Sequence, residues 1–185
     1  MTSLVNQFLI AMPELDGTYF GRSIIYLCEH DDEGAMGLVI NKPTDLSIAT
    51  ILDEINLEQE VETDLTDKLV ISGGPVQTDR GFILHNGTKQ WSSSLKLDEQ
   101  IIVTTSKDIL SNLNPITGPD KFLMTLGYSG WSAGQLEDEL ANNTWLTLEA
   151  DPEILFNTPA DKCWDEALKS LGISPEQLTA FAGHA

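Results

Sequence analysis

An apolar run, Phe122 to Leu126, leads through Gly127-Tyr128-Ser129-Gly130-Trp131-Ser132-Ala133-Gly134 into an amphipathic segment, Gln135 to Asn142. A short apolar run bounded by glycines reads as a buried strand, and the segment that follows places Ala133, Leu136 and Leu140 on one helical face. Ser132 and Gln135 have the spacing of a capping box, and Trp131 and Leu136 occupy the two hydrophobic-staple positions. The expected order is strand, glycine-rich turn, helix. A strand buried on both faces needs neighbours, so the rest of the chain must supply a sheet.

The N-terminal half contains suitable segments. Phe8 to Ala11 is a short apolar run, and Ser23 to Cys28 is rich in β-branched and aromatic residues. Ala35 to Ile40 follows Asp31-Asp32-Glu33-Gly34, so the two flanking runs are expected to form a hairpin. In Ser47 to Ile55, Ile48, Ile51, Leu52 and Ile55 fall on one helical face. Seven acids and no base between Asp53 and Asp67 indicate a solvated connection. Lys68 to Ile71 and Gly81 to Leu84 read as strands around Ser72-Gly73-Gly74-Pro75, Ile101 to Thr105 reads as another, and 107–113 as a helix. Beyond Asn142, Trp145 to Leu148 returns as a strand. Asp151-Pro152, Thr158-Pro159 and Ser174-Pro175 each pair an N-cap residue with proline, and Gln177 completes a capping box with Ser174. Strands and helices mix without regular alternation. The expectation is an α+β fold, one compact domain over 1–185, with a mixed, largely antiparallel sheet and flanking helices.

Charge narrows the function. The chain has 29 Asp plus Glu against 10 Lys plus Arg, a formal net charge of −19, spread evenly along its 185 residues. Nucleic-acid binding depends on Lys and Arg neutralising phosphates, so direct nucleic-acid contact is not expected. No Lys or Arg precedes Arg22, as a basic signal region would require, and the apolar runs are too short to cross a bilayer. Two cysteines, Cys28 and Cys163, make no disulfide framework. These readings favour a cytoplasmic protein without membrane contact.

Several residue groups are candidates for chemistry. A strand passing through Gly127, Tyr128, Gly130, Trp131 and Gly134 into a helix start could expose backbone N–H groups to an anion, although Ser132 already satisfies part of that terminus. Gly127-Tyr128-Ser129 begins like a nucleophile elbow, but Trp131 stands where that motif needs a small residue. Cys28 and His30 would share one strand face as a thiol and a base, while Glu29 and the acids after it oppose a thiolate. Cys28, His30, His85 and His184 are zinc-ligand types whose spacing gives no support, so no metal or other cofactor is assigned. Arg22 and Arg80 are the chain's two arginines, and with His85 they could clamp a carboxylate or phosphate on an otherwise repelling surface.

The stretches Asn6 to Pro13, Arg22-Ser23, Tyr26 to His30 and Gly34 to Pro43 resemble the bacterial YqgE/AlgH family. So do Gly73-Gly74-Pro75, Arg80-Gly81-Phe82 with His85, Leu126-Gly127-Tyr128 with Gly130-Trp131, Gly134 to Glu137, and Gly183-His184-Ala185. The resemblance runs from Asn6 to the C-terminus. It implies a compact cytosolic α/β-type protein from a largely uncharacterised family without an agreed reaction, cofactor or substrate. Some members carry the label of transcriptional regulator. Relatives commonly have Ala at the position of Ser129, which counts against a serine nucleophile. The combined expectation is a non-catalytic regulatory domain that binds a small anionic ligand or a protein partner. The alternative is a thiol-dependent or hydrolytic enzyme using Cys28 or the Gly127–Gly134 turn.

Overall fold

The computed structural model describes residues 2–182, so His184 and its neighbours in the terminal Gly183-His184-Ala185 stretch lie outside the described residues. In chain order the strands are β1 (Gln7–Ala11), β2 (Ile24–Asp31), β3 (Gly34–Val39), β4 (Pro43–Ser47), β5 (Leu69–Ser72), β6 (Val76–His85), β7 (Ser94–Asp98), β8 (Ile101–Thr104), β9 (Phe122–Ser132) and β10 (Trp145–Glu149). The helices are α1 (Ile48–Glu54), α2 (Gln135–Ala141), α3 (Pro152–Asn157), α4 (Cys163–Ser170) and α5 (Pro175–Ala182). The protein is α+β, and among the ladders of the described residues only β5 with β9 is parallel. The chain divides into two compact units, one formed by residues up to Lys42 and from Ser129 onward, the other by Pro43–Tyr128.

In the first unit β10, β1, β2, β3 and the last residues of β9 lie side by side, each antiparallel to its neighbour. β2 and β3 form the expected hairpin, with Asp31 opposite Gly34 and Asp31 Oδ1 accepting the Glu33 N–H at 2.8 Å. Gly34 has φ +143°, and a Cβ there would lie 2.2 Å from the Trp131 carbonyl oxygen. The register shifts between Leu27 and Glu29, leaving Cys28 in a bulge. Leu9, Ile25, Leu27 and Val39 pack with Trp131, Leu136 and Trp145 in an apolar cluster. Each such fully buried large side chain contributes about 1.5–3 kcal/mol relative to exposure. α4 packs on β1, where Trp164 Nε1 donates to the Ala11 carbonyl at 2.9 Å.

In the second unit β4, β5, β9, β6, β8 and β7 follow one another. Its core gathers Ile48, Leu52, Leu65, Val70, Ile83, Ile109, Leu113 and Met124. The expected helix forms as α1, capped by Ser47 Oγ, which accepts the Thr50 N–H.

Several local expectations change. β9 does not stop at Leu126; it runs for 11 residues, so the expected turn at 127–134 contracts to Ala133-Gly134. Gly127 serves close backbone approach within the strand. Gly127 has φ +79°, and a Cβ there would lie 2.4 Å from the Gly74 carbonyl oxygen. The N-cap of α2 is Gly134 at φ +80°, and the Ser132–Gln135 box forms only its return half, Ser132 N–H donating to Gln135 Oε1 at 3.0 Å. Thr158 does not cap a helix: its hydroxyl donates to the Glu153 carbonyl, and a 3-10 turn at Ala160–Lys162 precedes α4. The Ser174–Gln177 box forms in both directions. The 107–113 segment is a 3-10 helix, Lys107–Asn112.

Candidate functional site

Arg22 and Lys42 meet at one half-open cavity of about 230 Å³ in the first unit. Its wall also includes Asn41, Trp164, Asp161 and Asp165. The local fold explains the meeting. Arg22 stands at φ +56°, a conformation that non-glycine residues rarely adopt. The Asn41 side chain holds it there, donating through Nδ2 to the Arg22 carbonyl at 3.0 Å and accepting the Ile24 N–H through Oδ1 at 2.9 Å. Asn41 thus extends the pairing of β2 just beyond the end of β3, and Lys42 follows directly.

Both cations rest on aromatic faces. The Arg22 guanidinium carbon is 4.8 Å from the Trp164 ring centroid, and the Lys42 ammonium is 3.9 Å from that of Tyr19. The Trp164 ring is fixed by its bond to Ala11. Partial burial lowers the Lys42 pKa below the usual lysine value. Among the described residues neither cation has a carboxylate oxygen within 4.0 Å, although two aspartates share the wall. A guanidinium offers a rigid fork of donors suited to a carboxylate or phosphate, and the ammonium adds a second point of charge.

Arg80 belongs to the second unit, so neither unit by itself brings the two arginines together. It is exposed, with its guanidinium carbon 5.1 Å from the Phe82 centroid and 5.9 Å from that of Tyr128. His85, on the same strand, is fully buried in a hydrogen-bond chain instead. The Asn86 carbonyl can only accept, so His85 Nδ1 carries the proton and donates at 2.9 Å. Nε2 then accepts from Thr104 Oγ1 at 2.7 Å, Thr104 Oγ1 accepts from Ser94 Oγ at 2.7 Å, and Ser94 Oγ accepts the Trp91 N–H at 2.8 Å. Burial lowers the His85 pKa, which favours this neutral form.

The remaining candidates occupy structural positions. Gly127, Tyr128, Gly130 and Trp131 are strand residues; Tyr128 pairs with Val76, Gly130 with Met36 and Trp131 with Ala35. Ser129 lies mid-strand opposite Gly37 and is buried, so no nucleophile elbow forms. Gly134 precedes a helix of only seven residues. The glycine-rich anion cradle is therefore not assembled.

The thiol–imidazole reading also fails. His30 Nδ1 accepts the Leu4 N–H at 2.9 Å, leaving its proton on Nε2, which donates to Glu137 Oε1 at 2.6 Å. That bond helps hold the Glu137 carboxyl below the usual range. Both ring nitrogens are engaged, so His30 has no lone pair for a thiol. Cys28 is buried, its thiol within 3.7 Å of the Tyr26 carbonyl, and burial followed by the Glu29 charge pushes its pKa well up. Burial and Asp161 push the Cys163 thiol up to about 11. In native protein at neutral pH, both thiols are expected to react with iodoacetamide at least tenfold more slowly than free cysteine, and normally once denatured. Rapid native labelling of Cys28, read by mass spectrometry, would overturn its assignment as inert.

Among the described residues no group of three or more His, Cys, Asp or Glu side chains is arranged to hold a metal ion. None of the described helices is long and apolar enough to cross a membrane. Sequence reasoning missed Lys42, Asn41 and Trp164. The Asn41-Lys42-Pro43 stretch offered a signal, since it places a base directly after a residue able to clasp backbone.

Comparison with known proteins places these residues in a family. The signature described as AlgH-like matches residues 8–176, across both units. A UPF0301 protein of Vibrio cholerae is 50% identical, with 99% of this chain and 100% of that protein covered. One from Ralstonia pickettii is also 50% identical, covering 100% of this chain and 97% of its own. The solution structure of AlgH from Pseudomonas aeruginosa is 44% identical, with a TM-score of 0.80 and coverage of 100% of this chain and 99% of that one. A crystal structure from Corynebacterium diphtheriae shares the fold at 17% identity, with a TM-score of 0.72 over 96% of this chain and 91% of its own. The chain belongs to the AlgH-like family.

Proposed function

We propose that the protein is a non-catalytic cytosolic binding domain that acts in regulation, and that the Arg22–Lys42 cavity takes a small anionic ligand. One observation carries this reading. In a chain of net charge −19, two cations face a single cavity without a carboxylate partner among the described residues. The cavity volume of about 230 Å³ lies below the ~300–1,000 Å³ common for larger ligands, which favours a small one. Asp161 and Asp165 on the wall oppose a polyphosphate and favour an anion of low charge, such as a monocarboxylate or inorganic phosphate. Direct DNA contact has no support from the charge balance.

Thermal-shift titration at low ionic strength with inorganic phosphate and a panel of monocarboxylates tests the reading. At a probe concentration near 100 Kd, a bound probe stabilises the native state by about 2.7 kcal/mol. The response is expected to fall with added salt and to vanish in the R22Q/K42Q double variant, whose melting point without probe stays within a few degrees of the parent. An undiminished response in the double variant, or none in the parent, would sink the assignment.

A further inference from the structure

A second cavity, of about 280 Å³, opens in the second unit where β6 ends. Lys89, Trp91, Asn86, Pro115, Pro119 and Asp120 supply its chemically distinct surfaces. We propose that this cavity is a binding site for a small amphipathic zwitterion, specifically a free α-amino acid with an apolar side chain.

Charge complementarity supports that ligand class. Lys89 and Asp120 share the wall, and among the described residues they form an ion pair neither with each other nor with any other side chain. The site therefore offers one positive and one negative pole. A ligand carrying both charges at once meets little net repulsion from a protein of charge −19, unlike a simple anion. The carboxylate pairs with the Lys89 ammonium and the ammonium with the Asp120 carboxylate. Among the described residues the Asn86 side-chain N–H₂ has no acceptor, which leaves it as a second donor for the carboxylate.

The apolar part has a matching surface. Trp91, Pro115 and Pro119 present carbon to the cavity, and the Lys89 ammonium lies 4.1 Å from the Trp91 ring centroid, beside that surface. The cavity suits a single amino acid better than a longer peptide, since it falls just below the usual range for ligand pockets.

The floor is held before any ligand arrives. The chain of hydrogen bonds from Trp91 N–H through Ser94, Thr104 and His85 ends on the Asn86 carbonyl, tying the two ends of the loop together. Asn86 is also bonded twice to Lys121, donating through its backbone N–H at 3.1 Å and accepting through Oδ1 at 2.9 Å. Such pre-ordering reduces the conformational loss on binding.

Isothermal titration with L-phenylalanine, and with phenylacetate and 2-phenylethylamine as analogues that each lack one charge, tests the proposal on the full chain. Saturable binding of phenylalanine is expected, with each analogue at least tenfold weaker. K89Q and D120N, both at exposed positions, are each expected to weaken phenylalanine binding at least tenfold. D120N should also lose the discrimination between phenylalanine and phenylacetate, and K89Q that between phenylalanine and 2-phenylethylamine. R22Q/K42Q should leave the affinity unchanged. The proposal is overturned if folded parent protein shows no saturable phenylalanine binding, if phenylacetate binds equally well, or if the two single variants leave affinity and discrimination intact.

Discussion

Gly34→Ala is expected to lower the unfolding free energy by roughly 3 kcal/mol or more, a large loss for one methyl group. The added Cβ would lie 2.2 Å from the Trp131 carbonyl oxygen and 3.3 Å from the carbonyl carbon. These are backbone atoms that cannot rotate away. Gly34 also closes the β2–β3 hairpin opposite Asp31 and faces Ser132 on its other side. Relief of the contact must therefore open one of the two ladders. The φ of +143° adds a conformational penalty of about 1–3 kcal/mol for any L side chain. Gly134→Ala separates the two contributions: its φ is +80°, but a Cβ would meet nothing within 4 Å. That variant should lose only about 1 kcal/mol. Equal losses for the two variants in denaturant titration would show that the carbonyl contact is relaxed away.

Glu139→Ala should cost about 3 kcal/mol through the buried donors it strands. Glu139 Oε2 accepts from Trp131 Nε1 at 2.8 Å and from Trp145 Nε1 at 2.7 Å, while Oε1 accepts from Gln135 Nε2 at 3.1 Å. The two indoles pack edge to face, 6.2 Å between centroids, and both are buried. With the carboxylate gone, both indole N–H groups lose the acceptor they share. Glu139→Gln keeps one carbonyl oxygen and should lose only about 1 kcal/mol. Placed in a Trp131→Phe/Trp145→Phe background, Glu139→Ala should become nearly neutral. A cost that persists there would mean that the carboxylate stabilises the protein by some other route.

What the sequence revealed depended on how local each determinant was. The β2–β3 hairpin was legible because two apolar runs flank a polar turn, and α1 because Ile48, Ile51, Leu52 and Ile55 fall on one helical face. β4 and β7 were not, since PTDLS and SLKLD are short and lack a continuous apolar run. β9 was broken too early because Gly127 and Gly130 resemble punctuation. In the fold, Gly127 permits approach to Gly74, a contact 53 positions away that no local pattern encodes. The cavity around Arg22 was half legible. Scarcity singled out the arginine, but its setting depends on Asn41 and on a tryptophan from α4. The grouping of Arg22 with Arg80 reaches across the two units, and rarity identifies a side chain without locating its neighbours.

The first unit is discontinuous in the chain, and this sets an order of events on the ribosome. β3 is synthesised long before residues 129–132, its partners in β9, and β1 longer still before β10. At roughly 5–20 residues per second, the nascent β2–β3 hairpin waits on the order of 5–20 s with its flanking edge uncovered. The second unit can emerge entirely during that interval. Open strand edges invite pairing between neighbouring nascent chains. Glu29, Asp31, Asp32 and Glu33 cluster at the hairpin's tip, where their mutual repulsion disfavours such pairing until the missing strand arrives.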